Sequence, residues 1–138
     1  MSHLKLPVEE FTTPDPVTAN ENASVSELTE LLRVHGFRHI PIMKAGKVVG
    51  IVSDRDLKLV SGFSALEKYL LQAGDFMSRN PVTVCSADSL DQVALLMSKN
   101  KIGSVIVNDT ADNFLGIFTE TDALNALIEI SRGQADLE

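Results

Sequence analysis

The sequence contains no tryptophan, one tyrosine and a single cysteine, Cys85. One cysteine cannot form an internal disulfide, and such a composition is typical of proteins from a reducing cytosol. No apolar run approaches the roughly 20 residues that span a bilayer. Residues 1–10 also lack the apolar core of a signal peptide. These absences predict a soluble, cytoplasmic protein with no membrane partner.

Positive charge is scarce as well. Only 12 Lys and Arg residues stand against 19 Asp and Glu residues, which leaves a net charge of −7. Proteins that bind nucleic acids usually present a basic face, so a nucleic-acid partner is not expected. The three histidines and Cys85 show no spacing typical of metal ligands, so no metal site is predicted.

Two short segments of the chain follow one pattern, residues 50–56 (GIVSDRD) and residues 116–122 (GIFTETD). In both, an apolar strand end is followed by a hydroxyl residue and, three positions later, by an aspartate. A helix that begins at this point places the hydroxyl and the carboxylate beside free backbone N–H groups. The pattern therefore predicts two related polar sites.

The sequence around these segments is repeated as well. Proline-containing extended segments at residues 15–18 (DPVT) and 80–83 (NPVT) each precede a capping-box pattern, at residues 24–27 and 89–92. Apolar residues at helical spacing, a strand, a turn and a second strand follow in both copies. Each copy is predicted to have the order β-α-β-β-α. The predicted domains are an arm at 1–10, repeat 1 at 11–60, a connector at 61–74, repeat 2 at 75–131 and a polar tail at 132–138.

Together these features resemble the cystathionine-β-synthase (CBS) domain family. The resemblance rests on residues 75–84 (DFMSRNPVTV), residues 38–42 (RHIPI) and the two aspartate segments, and it covers roughly residues 11–127. It implies an α/β (α+β) fold in which two tandem CBS repeats pack as a pseudo-two-fold Bateman module. It also implies adenosine-containing ligands in two clefts between the repeats, such as AMP, ADP, ATP or S-adenosylmethionine, and no required cofactor.

The resemblance also implies roles for individual residues. The family's ribose-binding aspartate corresponds to Asp56 and Asp122, and its phosphate-side hydroxyl corresponds to Ser53 and Thr119. Its basic position corresponds to Arg38 and His39 in repeat 1, whereas repeat 2 departs from the pattern with Gly103 and Ser104. The extended segment of each repeat is expected to line the partner repeat's cleft. The first cleft would contain Arg38, His39, Ile40, Pro41, Ser53, Arg55, Asp56, Asn80, Pro81, Val82 and Thr83, and the second Val17, Thr18, Ser104, Thr119 and Asp122.

The chemistry of these residues suits such ligands but leaves a simpler interpretation open. A carboxylate can accept hydrogen bonds from both hydroxyls of a ribose, and a helix N-terminus with a hydroxyl suits a phosphate. The same hydroxyl–aspartate pairs could equally be plain helix caps. The first site is surrounded by basic residues, whereas Glu120 and Asp15 accompany the second. Phosphorylated ligands are therefore expected to prefer the Asp56 cleft.

The sequence thus predicts a non-catalytic regulatory module for energy sensing that binds adenine nucleotides and signals through dimer contacts or an unidentified protein partner. A homodimer is expected because Leu124, Leu127, Ile128 and Ile130 exceed what one small module can bury. The alternative is a structural dimerisation module with degenerate clefts. A third hypothesis is a hydrolase that uses His39 with Ser53 or Asp56, but the chain has no nucleophile elbow or triad spacing.

Overall fold

The computed structural model describes residues 5–137, with the backbone alone for residues 134–137. The chain order is a 3-10 helix (Val8–Phe11), β1 (Thr13–Pro14), β2 (Ala19–Asn20), α1 (Val25–His35), β3 (His39–Lys44), β4 (Lys47–Ser53), α2 (Asp54–Val60), α3 (Ala65–Leu70), α4 (Ala73–Phe76), β5 (Ser78–Arg79), β6 (Thr83–Cys85), α5 (Leu90–Asn100), β7 (Ser104–Asn108), β8 (Phe114–Thr119) and α6 (Glu120–Leu137). The predicted mixed α and β class is confirmed, and each repeat has the predicted strand and helix order.

The chain divides into two compact units, one formed by a single segment and the other by two separate segments. The first unit is continuous, from Pro16 to Pro81, whereas the second joins the N-terminal segment up to Asp15 to the chain from Val82 onward. The predicted arm and the first residues of the predicted repeat 1, up to Asp15, therefore belong to the same unit as most of repeat 2. In the part of the chain that the structure describes, no helix is long and apolar enough to cross a membrane.

The first unit contains a four-stranded sheet in the order β2-β3-β4-β5. Strand β3 runs antiparallel to β4, and Ala45 and Gly46 in the turn between them both have positive φ. Two such residues form the tight turn that matches the twist of a hairpin, as the sequence predicts. The sequence predicts that the first helix ends near His35 with Gly36 as a left-handed cap. Helix α1 does end at His35, and Gly36 has a φ of 69°. The core beneath this sheet contains Leu28, Ile40, Ile42, Val52, Ala73 and Met77.

The second unit contains a four-stranded sheet in the order β1-β8-β7-β6. Strand β1, from the start of the chain, pairs antiparallel with β8, and Thr13 lies opposite Ile117. This repeats the first unit, where β5 pairs antiparallel with β4 and Ser78 lies opposite Ile51. In each unit the short strand just before the proline-containing extended segment therefore pairs with the strand that leads into the aspartate motif. The core of the second unit contains Val8, Val93, Met97, Val105, Val107 and Phe118.

The arm predicted at residues 1–10 is built into the second unit from residue 5 onward, while residues 1–4 lie outside the described residues. The Val8 side chain is fully buried, and its N–H donates to the Asp88 carbonyl at 2.8 Å. The Leu6 carbonyl accepts from the N–H of Leu90 at 2.8 Å. The Lys5 ammonium, 2.7 Å from the Asp91 carboxylate, lowers the pKa of Asp91 together with the Ser89 hydroxyl.

The buried arm leads to a prediction about stability. Replacing Val8 with alanine is expected to lower the free energy of unfolding by about 2 kcal/mol, because it removes two buried methyl groups and leaves a cavity. Urea denaturation measures the difference. The control is Val34→Ala on the exposed face of α1, where the side chain is 59% exposed and a change within about 0.5 kcal/mol is expected. Equal effects of the two substitutions would contradict a structural role for the arm.

Three local predictions about helix ends were wrong. The Ser24 hydroxyl accepts from the N–H of Glu27 at 3.1 Å, but the Glu27 side chain does not complete the capping box. At α5, the Ser89 hydroxyl instead donates to Asp91 at 2.7 Å and caps nothing, and Lys5 contacts the other oxygen of the same carboxylate. The sequence predicts a connector helix over residues 65–73 that ends at Gly74. Instead α3 ends at Leu70 and Gly74 lies within α4, where its N–H donates to the Glu21 carbonyl at 2.9 Å. Helix α6 also continues through residues 132–137, the expected polar tail.

Candidate functional site

In the first unit, Asp56 lies one turn into the helix that follows β4. Its N–H donates to the Ser53 hydroxyl at 3.1 Å, and its Oδ2 accepts the Ser53 N–H at 2.9 Å. The capping box is therefore complete, so Ser53 and Asp56 together cap α2. The cap uses only one carboxylate oxygen, however. Within the first unit nothing donates to Oδ1 of this half-buried side chain.

The residues around Asp56 differ in what they can offer a ligand. Strand pairing places His39 opposite Ser53, and the carbonyl of Arg38 accepts the N–H of Asp54 at 2.9 Å. The side chains of Ile40 and Pro41 are fully buried, so these two residues can contribute only main-chain atoms. Three basic residues lie close to Asp56 in the sequence or beside the paired strand, and all have exposed side chains: Arg38, Arg55 and Lys58.

The end of the first unit carries one more cation. Arg79 lies in β5 opposite Gly50, and its guanidinium donates to the Gly74 carbonyl at 2.8 Å. The next residue, Asn80, has a positive φ of 53°, and Asp15 at the corresponding place in repeat 1 has a φ of 43°. Asparagine and aspartate tolerate this conformation better than other non-glycine residues. The repeat is thus preserved in backbone conformation as well as in sequence.

In the second unit, the Asp122 carboxylate accepts more hydrogen bonds than that of Asp56. Its Oδ2 accepts the Thr119 N–H at 2.9 Å and the Thr119 hydroxyl at 3.1 Å. Its Oδ1 accepts the hydroxyl of Thr13 at 3.1 Å. Thr13 was not among the predicted site residues, although its alignment with Ser78, another hydroxyl residue, was a signal that could have revealed it.

A cavity of about 470 Å³ adjoins Asp122 in the second unit, between the N-terminal segment and α6. Glu10 and Glu129 line it together with Asp122, Asn125 and Thr13, and none of its described lining residues is basic. Carboxylates without neighbouring cations disfavour an anion. This side of the second unit is therefore better suited to a neutral or cationic group than to a phosphate.

The predicted site residues divide between the two units. The first unit contains Val17, Thr18, Arg38, His39, Ile40, Pro41, Ser53, Arg55, Asp56, Asn80 and Pro81, and the second contains Val82, Thr83, Ser104, Thr119 and Asp122. Ser53 with Asp56, and Thr119 with Asp122, are brought into direct contact. The predicted exchange of extended segments combines residues of both units, so it stays a prediction.

Three related proteins have been solved with closely similar folds. A candidate acetoin utilization protein from Vibrio cholerae superposes with a TM-score of 0.85 at 29% identity, and the match covers 98% of this chain and 99% of that chain. The protein CBSX2 in complex with AMP gives a TM-score of 0.76 at 27% identity, covering 91% and 98% of the two chains. A CBS domain pair in complex with 5′-methylthioadenosine and S-adenosyl-L-methionine gives 0.75 at 30% identity, covering 88% and 98%.

Curated relatives include longer enzymes. L-aspartate semialdehyde sulfurtransferase of Methanocaldococcus jannaschii is 33% identical over 116 residues, which cover 83% of this chain but 22% of that protein. The chain spans less than a quarter of the length of the first curated relatives it matches. The family model described as CBS domain matches twice, at residues 8–61 and 73–129. The chain therefore belongs to the CBS domain family and carries two CBS domains in tandem.

Proposed function

We propose that the chain is a non-catalytic regulatory module that binds an adenosine-containing ligand, with Asp56 as the principal ribose-binding residue. The observation that carries this proposal is the state of the Asp56 carboxylate: its cap occupies Oδ2, and Oδ1 accepts nothing within the first unit. A half-buried acceptor beside a helix N-terminus suits a ribose hydroxyl. Related CBS pairs solved with AMP and with S-adenosyl-L-methionine support the same ligand class.

The charge around the two aspartates favours phosphorylated ligands at Asp56. Arg38, Arg55 and Lys58 accompany Asp56 in the first unit, whereas Glu10, Glu120 and Glu129 accompany Asp122 in the second. Hydrogen bonds from cations to phosphate are about twice as strong as neutral ones. We therefore expect AMP, ADP or ATP at the Asp56 site rather than at the Asp122 site.

Catalysis is not part of the proposal. The relatives that are enzymes match this chain over only a small fraction of their length. The match is therefore no reason to assign their enzymatic activity to this chain. Among the described residues no group of three or more His, Cys, Asp and Glu side chains could hold a metal ion.

The single cysteine favours the cytoplasm as the compartment. A structural dimerisation module with degenerate clefts remains the second candidate.

The proposal is tested by titrating the full chain with AMP, ADP, ATP and S-adenosylmethionine in a calorimeter. Saturable binding of at least one of them at micromolar to submillimolar concentration is expected. Mass spectrometry of the protein purified without added ligand would identify a molecule that is retained. If none of the four binds at millimolar concentration and no ligand is retained, the regulatory function is refuted and the structural alternative stands.

We also propose that the chain forms a homodimer through α6. Leu124, Leu127 and Ile128 on this helix are 60%, 59% and 46% exposed. Leu124 and Leu127 also line an apolar groove of about 540 Å³ between α5 and α6, together with Met97 and Ile102. Burying such a surface in a second copy is the simplest way to remove it from water.

The dimer is tested by light scattering on the wild type and on Leu127→Lys. A dimer mass is expected for the wild type at micromolar concentration, and a monomer mass is expected for the variant, because an ammonium cannot be buried without a partner. The control is Leu66→Lys on α3, where the side chain is 67% exposed and the mass should not change. A wild type that stays monomeric would refute the dimer.

A further inference from the structure

The two motif aspartates differ in one contact that the duplication does not predict. The hydroxyl of Thr13 lies 3.1 Å from Oδ1 and 3.4 Å from Oδ2 of Asp122. Thr119 donates twice to Oδ2, so both oxygens of Asp122 are engaged inside the second unit. Asp56 accepts a single donor from its own unit, the N–H of Ser53. A carboxylate has about four acceptor positions. Three donors leave at most one of them at Asp122, fewer than the two hydroxyls of a ribose need, whereas the unit of Asp56 fills only one at that residue.

The pairing of β1 with β8 fixes the backbone position of Thr13. Thr13 pairs with Ile117 across β1 and β8, and the N–H of Asp15 holds the same segment by donating to the Leu115 carbonyl at 3.2 Å. Threonine is β-branched and its first side-chain torsion is restricted, so its hydroxyl keeps one direction. The half-buried setting of Thr13 restricts it further.

The corresponding residue of the first unit shows the contrast. Ser78 lies opposite Ile51 across β5 and β4, in the place that Thr13 occupies in the second unit. Its side chain is exposed, and within that unit its hydroxyl makes no hydrogen bond to Asp56. Serine has no second group on Cβ, so its hydroxyl can rotate among staggered positions. Strand β1 thus supplies a hydrogen bond to Asp122, whereas the corresponding strand β5 supplies none to Asp56 within the first unit.

We propose that Thr13 is an internal competitor for ribose at Asp122, a specificity-determining residue that keeps the second site closed to nucleosides while β1 is in place. A ribose diol that approaches Asp122 needs two acceptor positions on the carboxylate, so it must displace the Thr13 hydroxyl from one of them. The inference rests on the proposed function, because it assumes that these aspartates recognise ribose. It explains how two copies of one motif can differ in occupancy without a difference in the aspartate itself.

The test compares Thr13→Val, Thr13→Ser and Ser78→Thr by calorimetric titration. The ligands are AMP and, because the carboxylates near Asp122 disfavour a phosphate, adenosine and 2′,3′-dideoxyadenosine. Thr13→Val keeps the shape of the side chain and removes the hydroxyl, whereas Thr13→Ser keeps the hydroxyl. Thr13→Val is expected to gain a second binding event, with affinity at Asp122 raised by about tenfold or more, since a hydrogen bond to a charged group is no longer displaced. The gain should be absent with the dideoxy ligand, which has no ribose diol. Thr13→Ser should resemble the wild type.

Ser78→Thr is the reciprocal variant, in the other unit and at an exposed position. A threonine there is expected to direct its hydroxyl to Asp56 and to weaken AMP binding by about tenfold. This variant decides the question alone if Thr13→Val does not fold. Unchanged affinities and stoichiometry in the variants that fold would overturn the inference while leaving wild-type binding, and hence the proposed function, intact. Absence of binding in the wild type would instead refute the proposed function.

Discussion

Replacing Asp56 with asparagine is expected to weaken the binding of adenine nucleotides to the full chain by about ten- to a hundredfold. The charged carboxylate is the better acceptor for ribose hydroxyls, and hydrogen bonds to charged groups contribute about 1.5–3 kcal/mol. Asparagine retains one side-chain oxygen, which can still accept the Ser53 N–H that now donates to Oδ2 at 2.9 Å. The substitution therefore removes the ligand contact while it preserves the helix cap.

The control for this prediction is Asp54→Asn in the first turn of the same helix. It changes the net charge by the same amount, two residues away, but its side chain caps nothing in the first unit. Its effect on affinity should stay within about threefold, the effect of a single screened charge near the site. Calorimetry on Asp56→Asn, Asp54→Asn and Asp122→Asn separates the possibilities. If Asp122→Asn abolishes AMP binding while Asp56→Asn leaves it intact, the assignment of the principal site is wrong.

Replacing Gly116 with alanine is expected to destabilise the second unit by about 3 kcal/mol, the upper end of the usual cost of overpacking. A Cβ at this position would overlap the Thr13 carbonyl oxygen and would lie 3.0 Å from the Thr13 carbonyl carbon and 3.1 Å from the Pro14 Cα. All three atoms belong to the backbone of β1, so relief requires the whole strand to move. The substitution should therefore loosen the N-terminal segment and separate Thr13 from Asp122.

Gly50 provides the matched control, since it occupies the same place in the first unit. A Cβ there would overlap the Met77 side chain and would lie 3.0 Å from the Ser78 carbonyl oxygen. Methionine is flexible and can rearrange, so Gly50→Ala should cost about 1 kcal/mol. Urea denaturation measures both losses, and limited proteolysis reports release of the N-terminal segment. An equal or greater loss in Gly50→Ala would contradict the backbone clash at Gly116.

Much of the fold was predictable because it depends on contacts between near neighbours in the chain. The Ser53–Asp56 cap, the left-handed Gly36 and the turn at Ala45 and Gly46 all arise from hydrogen bonds and torsions within a few residues. Because these signals occur twice, they predicted two units with the same order of strands and helices. The same signals carried the resemblance to the CBS domain family. Local chemistry also indicated where the polar sites would lie, at the two aspartates.

The errors lie where distant residues compete with a local pattern. Ser89 has the sequence of a cap, yet Lys5 orients Asp91, and the serine hydroxyl donates to that carboxylate instead. The sequence predicted an arm at residues 1–10 without assigning it to a repeat, and in the structure Val8 is buried in the core of the second unit. Neither outcome can be obtained from periodicity, because each depends on which segment returns to which sheet.

The sequence by itself determined that two hydroxyl–aspartate caps would stand at two helix starts, since each is closed by hydrogen bonds spanning three residues. Only the tertiary structure decided that the two carboxylates would differ. The hydroxyl that occupies Asp122 comes from Thr13, 109 residues earlier in the chain. That contact exists because β1 pairs with β8 and brings the two residues together. Pairing of strands so far apart depends on the burial of the whole unit, which no local pattern encodes.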